Sequence, residues 1–313
     1  MGHHELIETW NSFVPGPVQK INSFGSDHFY IKRLDLIQSW ADGNKYYKIK
    51  NSIRFALDNR IETIVSKGGM FSNHLFSLAH ACTQFKIELV CIVRSYKADH
   101  QNPMLSELEP ITKEIVLLDA AVYNRFNEDD AEEKYPGSLF IPEGGLSEFA
   151  LNGISEIWNE CLEHHPTHLV ISGGSMASAC GLISVLPEDI NLIIVPAWKG
   201  CSEEYVEDIL KQYTLKSNGK WTIWKDTHFG GFAHYDRTLI DFMYRFTSNT
   251  GIPLDPVYTG KMMYGIVDKI NSGYFSSKDK IIAIHTGGLQ GIRGFAYRYP
   301  TDWSEYEKLI STI

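Results

Sequence analysis

The sequence predicts an α/β protein of open, mostly parallel sheets with helices on both faces, and three observations carry that prediction. Short β-rich apolar runs alternate with stretches of helical periodicity over nearly the whole chain. Almost every run ends in glycine, serine or another polar residue, at the carboxyl edge where open α/β sheets bind ligands. No long linker, low-complexity tract or internal repeat interrupts the 313 residues, so any two lobes are woven from one chain.

The elements follow in order. Residues 63–65 form an apolar run that passes through Ser66-Lys67-Gly68-Gly69 toward an amphipathic helix over 73–84, for which Ser72 or Asn73 is the natural cap. Strand candidates at 88–93, 114–118 and 139–142 come next, the last closing on Pro142-Glu143-Gly144-Gly145. A helix is expected over 153–164, then a strand at 168–172 that ends in Ser172-Gly173-Gly174-Ser175. A strand at 191–195, a helix over 202–213, and strands at 221–224 and 280–285 complete the alternation, the final one opening onto Thr286-Gly287-Gly288.

Bulk properties exclude whole classes of function. With 43% hydrophobic and 21% charged residues the chain buries a large core, and its length suits two lobes. A formal net charge of -9 argues against nucleic acid, whose phosphates call for a basic stripe. The five cysteines, Cys82, Cys91, Cys161, Cys180 and Cys201, are odd in number and lack paired metal spacing, so reduced, buried thiols in a cytoplasmic protein are expected, with no metal site. No secretory leader pattern opens the chain, and no apolar run approaches the roughly 20 residues of a membrane span. His3-His4 reads as a frayed polar terminus.

Four segments carry chemistry. Lys45, in Asp42-Gly43-Asn44-Lys45-Tyr46-Tyr47-Lys48, is read as a loop lysine whose amine can condense with an aldehyde cofactor and move protons; a solvated turn gives the same triplet. In Gly173-Gly174-Ser175-Met176-Ala177-Ser178 a strand runs through small residues into a helix, a cup suited to phosphate; a tight turn with a serine cap is the alternative. Ser72-Asn73-His74 suits carboxylate binding and proton handling at a strand end, or simply caps a helix. In Leu254-Asp255-Pro256-Val257-Tyr258-Thr259-Gly260-Lys261, proline and glycine bracket a Tyr-Thr pair expected to be exposed in a turn before a helix.

In this order and spacing the four segments resemble the family of 1-aminocyclopropane-1-carboxylate deaminase and D-cysteine desulfhydrase, pyridoxal-phosphate enzymes of the tryptophan-synthase β-like fold (fold type II). The likeness runs from Lys32-Arg33-Leu34-Asp35 to His285-Thr286-Gly287-Gly288. It implies two open, twisted, mostly parallel sheets flanked by helices, with a large cofactor-binding domain from 1–47 and 154–313, a small inserted domain from 48–153, and the cofactor between them. It also implies a homodimer acting on a small amino acid.

By the same resemblance Lys45 bears pyridoxal 5'-phosphate. Lys48, Gly174, Ser175, Met176, Ala177 and Ser178 hold its phosphate, and Asn73 meets its ring hydroxyl. Ser72 holds the substrate carboxylate, with His74 beside it, and Tyr258 carries a proton near the substrate. The resemblance puts Thr259 and Thr286 at the positions that separate desulfhydrases from ring-opening deaminases, and His74 follows the desulfhydrase pattern as well. Elimination from D-cysteine or a related β-substituted amino acid is thus expected ahead of cyclopropane ring opening or non-catalytic binding. The chain departs from the pattern at Asp42, Leu75-Phe76, Met176 and Ala177, and carries Phe229 where the deaminases have a substrate-side tyrosine.

Overall fold

The computed structural model describes residues 13–37, 39–95 and 101–313, so His3-His4 lies outside the described residues. Ten strands form two sheets. The larger contains β1 (Val18–Ile21), β2 (Phe29–Arg33), β7 (His168–Gly173), β8 (Asn191–Pro196), β9 (Lys220–Ile223) and β10 (Ile281–His285), ordered β1-β2-β10-β7-β8-β9. Only the β1–β2 pair in it is antiparallel. The smaller is wholly parallel, with β3 (Thr63–Gly69), β4 (Glu88–Arg94), β5 (Glu114–Leu118) and β6 (Leu139–Ile141) ordered β5-β4-β3-β6.

Both faces of the central strands are covered, which is why they read as unbroken apolar runs. Along β7, Leu169 and Ile171 enter a core shared with β8, β10 and the helices Asn44–Asp58, Asn73–Phe85 and Glu148–Asn159. Val170 points the other way, into a second core under the helices Arg237–Thr250, Thr259–Asn271 and Gly291–Arg298. The same alternation divides β3, where Ile64 joins the first core and Val65 a small cluster with Tyr123 and Phe126.

Differences from the expected elements have local causes. Strand β3 runs on to Gly69, because Ser66 to Gly69 pair with Cys91 to Arg94. The helix expected at 153–164 begins at Glu148, where the Ser147 hydroxyl accepts the Ala150 N–H, and a separate 3-10 turn covers Leu162–His164. Strand β2 was hidden by its charges: Lys32 is buried but paired with Glu160 at 2.6 Å, and Arg33 with Asp35 at 2.7 Å. The four strands of the smaller sheet lie within 48–153, while Asn44–Asp58 and Glu148–Asn159 run through 47/48 and 153/154 and pack on one another. Among the described residues no helix is long and apolar enough to cross a membrane and no acidic, histidine and cysteine cluster could hold a metal ion.

The packing of those two helices is close enough to be fixed by one glycine. A methyl group on Gly153 would lie 1.9 Å from the Tyr47 carbonyl oxygen. Gly153→Ala is expected to cost about 1–3 kcal/mol, read as a lowered urea midpoint with unchanged slope.

Candidate active site

Lys45 stands in the first turn of a helix, not in a loop as the sequence suggested. Its helix starts at Gly43, whose φ of 57° lies in the left-handed region and whose added methyl would sit 2.2 Å from the Thr286 carbonyl oxygen. Asn44 N–H donates to that same carbonyl at 3.1 Å, so the carboxyl end of β10 seats the helix. The Lys45 ammonium donates to Asn44 Oδ1 at 2.6 Å, and Asn44 Nδ2 donates to Ser178 Oγ at 2.9 Å. Asn44, absent from the expected site residues, thus links the lysine to the small-residue loop. Burial lowers the Lys45 pKa to about 8 against the opposing pull of Asp42 and Asp255.

Lys48 lies one turn on, on the same helix face. Its buried ammonium donates to the Gly144 carbonyl at 3.0 Å and stands 3.5 Å from Ser175 Oγ. Burial, and then the charge of Lys45, pushes its pKa well below the usual value. Gly144 adopts φ 67° and its added methyl would lie 2.9 Å from Ser175 Cβ, so the ends of β6 and β7 meet here. Met176, at φ 59°, lends only its backbone to the loop, since its side chain is packed in the core. Ala177 and Ser178 open the helix Ala177–Ile183, and Ser178, having accepted from Asn44, keeps its own proton to donate.

Ser72 is the helix cap that the simpler reading proposed: its hydroxyl accepts Leu75 N–H at 3.2 Å, again leaving the proton free. Asn73 Oδ1 accepts from Gln290 at 3.0 Å, and its amide nitrogen would lie 2.5 Å from a methyl on Gly288. His74 is buried below the loop that holds Gly145, where a methyl on that glycine would lie 3.1 Å from its ring and 3.9 Å from Lys48 Cβ. Ser66 Oγ donates to the Ile141 carbonyl at 2.7 Å, so at the 3.0 Å contact with His74 the imidazole Nε2–H is the donor. Burial and the charges of Lys48 and Lys45 lower its pKa to about 3, so it stays neutral.

The Tyr258 segment is held by Asp255, whose carboxylate accepts from the backbone of Val257, Tyr258 and Thr259 and from the Thr259 hydroxyl at 2.7 Å. Thr259 is fully buried, which corrects the expected exposed pair. Tyr258 lies over Gly174, where an added methyl would come within 3.1 Å of its hydroxyl. Burial raises its pKa, so the phenol holds its proton at neutral pH. Thr286 is buried at the seat of the Lys45 helix.

Phe229 is not brought to this group. Its partly buried ring packs edge-on against Tyr264 at 4.9 Å, on the margin of the second core, and Phe232 stands beside Tyr258 at 6.1 Å instead. The turn that makes this swap is hung on Lys261, whose buried ammonium donates to the carbonyls of His228 at 2.9 Å and Gly231 at 2.7 Å. His228 Nδ1 accepts Gly230 N–H within the turn.

Two buried ammonium groups on one helix face, bordered by Ser175, Ser178 and a glycine-lined loop, form a site that favours a dianion and places an amine beside it. An aldehyde bearing a phosphate fits that donor set. Lys45 would take the aldehyde, and Lys48 with residues 174–178 the phosphate.

The sequence matches the profile of the family described as "Pyridoxal-phosphate dependent enzyme" over residues 12–287. A putative 1-aminocyclopropane-1-carboxylate deaminase of Pyrococcus horikoshii is 28% identical over 304 residues, covering 92% of each chain. A D-cysteine desulfhydrase of Salmonella choleraesuis is 24% identical over 309 residues, covering 90% of this chain and 94% of its own. A solved ACC deaminase homologue aligns over the full length of both chains with a TM-score of 0.74 at 23% identity. Threonine deaminase isoform 2 from Solanum lycopersicum aligns over 95% of this chain and 87% of its own, with a TM-score of 0.67 at 12% identity.

The neutral His74 has a measurable consequence. Its folded-state pKa lies below the ordinary 6.5, so stability is fully present above pH 6.5 and is lost as pH falls toward 3. His74→Gln, which removes that proton uptake, is expected to flatten the acid limb of the denaturation midpoint against pH.

Proposed function

Because the chain belongs to the pyridoxal-phosphate dependent enzyme family, we propose that it eliminates the β-substituent of D-cysteine or a related β-substituted amino acid. The products are a 2-oxo acid and ammonia, with sulfide from cysteine. The observation that carries the finer reading is the state of Asp255 and Thr259. All the hydrogen-bonding of the Asp255 carboxylate is taken up by its own turn, and the neighbouring side chain is a hydroxyl, so this end of the pocket offers no free carboxylate. A neutral ring partner makes a weaker electron sink, which suffices for a good leaving group such as thiolate and suits carbon–carbon cleavage less well.

The bound cofactor supplies the sink for the electrons left when the α-proton departs. The chain's own groups do the rest. The Lys45 amine holds the cofactor and, once the substrate's amino group takes its place, serves as base at the α-carbon. A pKa of about 8 leaves an appreciable free-base fraction near neutrality. Lys48, Ser175 and Ser178 anchor the phosphate, and Asn73 orients the ring. The free Ser72 proton binds the substrate carboxylate. Tyr258, still protonated, gives a proton to the departing sulfur.

We further infer a homodimer acting in the cytoplasm, in keeping with five buried, unpaired thiols. The relative named as a putative deaminase supports ring opening as the second reading.

Incubated with pyridoxal phosphate, the purified chain is expected to show visible absorbance that Lys45→Ala abolishes. D-cysteine and β-chloro-D-alanine should yield pyruvate and ammonia, with Lys45→Ala slower by at least ~10²-fold. Formation of 2-oxobutyrate from 1-aminocyclopropane-1-carboxylate would favour the second reading, and tight amino-acid binding without turnover would exclude both.

A further inference from the structure

We propose that Asp42 is a positioning residue for Lys45: its carboxylate braces the Gly287-Gly288 turn against the start of the lysine's helix and keeps a negative charge beside the amine. This rests on the reading of Lys45 as the cofactor-bearing lysine.

The geometry is that of a clasp. The Asp42 carbonyl accepts Lys45 N–H at 3.1 Å, while Oδ2 of the same residue accepts Gly288 N–H at 3.4 Å. Between these bonds two glycine backbones touch, a methyl on Gly287 falling 2.8 Å from Gly43 Cα and 3.5 Å from Asp42 Oδ1. Gly288 in turn abuts Asn73. One side chain therefore fixes the distance between the lysine helix, the end of β10 and the start of the Asn73 helix.

Burial raises the Asp42 pKa and Asp35 adds to the rise, while Lys45, the Gly288 N–H and His285 oppose it and favour the carboxylate. Asp35 is itself held by Arg33 at 2.7 Å and lies 3.2 Å from His285. Lys45 faces Asp42 and Asp255, and its charge is felt by Lys48 and His74. Asp255 is saturated by its own turn, whereas among the described residues Asp42 makes one long side-chain hydrogen bond. Water can support that carboxylate: Asp42 lines a cleft of about 450 Å³ with Ser39 and Ser77, whose buried hydroxyl oxygens have no hydrogen-bond partner among the described residues.

A carboxylate beside an amine favours the ammonium form, so its removal lowers the amine's proton affinity. The test is competitive acetylation of the full-length, cofactor-free chain across pH, with each lysine read by mass spectrometry. In Asp42→Asn the Lys45 labelling curve is expected to inflect lower by ~0.5–1 pH unit, while Lys261, buried elsewhere, keeps its curve. Asp42→Glu should restore the original inflection, and in the loaded enzyme the pH titration of the visible band should move the same way in Asp42→Asn. Coincident Lys45 curves for the native chain and Asp42→Asn would overturn the proposal. If Asp42→Asn does not fold, Asp42→Ser makes the same comparison. If neither folds, Asp42→Glu must recover both fold and inflection, and failure to do so overturns it. A chain that takes up no pyridoxal phosphate refutes the proposed function but leaves the labelling comparison readable, since labelling needs no cofactor.

Discussion

The site depends on keeping two like charges close together out of water. Lys45 and Lys48 share one face of one helix, burial weakens the hold of each on its proton, and the charge of Lys45 weakens that of Lys48 further. Such a pair persists because each ammonium finds oxygen acceptors, Asn44 for one and Gly144 for the other, and because the helix cannot shift to separate them. Its start is jammed against Thr286, where Gly43 leaves no room for a side chain, and its middle is jammed against Gly153. The helix sets the spacing of the two charges, and contacts remote from the chemistry fix where the pair sits against the surrounding loops.

The same solution recurs through the protein. Lys67, buried in the smaller sheet, donates to the carbonyls of Tyr123 and Phe126 at 2.7 and 2.8 Å. Lys261 does the same for the turn that holds His228 and Gly231, and Lys32 joins Gly16 to Glu160. Lys67 and Lys261 each bind two carbonyls and Lys32 one carbonyl and one carboxylate, and these oxygens offset part of the cost of burying the ammonium.

Much of the fold was legible because central parallel strands leave an unbroken apolar trace: β4, β5, β7, β8 and β10 fall within a residue or so of their expected bounds. Strand β2 was not legible, since Lys32 and Arg33 look solvated until the distant Glu160 and the neighbouring Asp35 are known to pair with them. The Lys45 helix escaped notice for a related reason. Gly43 gives it no side-chain cap, and its buried stripe includes Lys48 and Lys50 among the apolar residues. In the site, the spacing of small and polar residues located the loops but not the direction of each side chain. Phe229 and Phe232 differ by three positions in a turn where Phe229, Gly230, Gly231 and Ala233 adopt positive φ, and only the resulting path decides which ring faces Tyr258. Likewise, nothing local told that Asp255 would bury Thr259.

The contact between Gly144 and Ser175 joins the last strand of one sheet to a central strand of the other, with the Lys48 ammonium lying across the join. A phosphate held there, as proposed, would touch both sheets at once and act as a rivet between two otherwise separate hydrogen-bonded plates. Holding the ligand and holding the plates in register would then be coupled, so that binding stabilises the seam and a substitution that opens it weakens retention of the ligand.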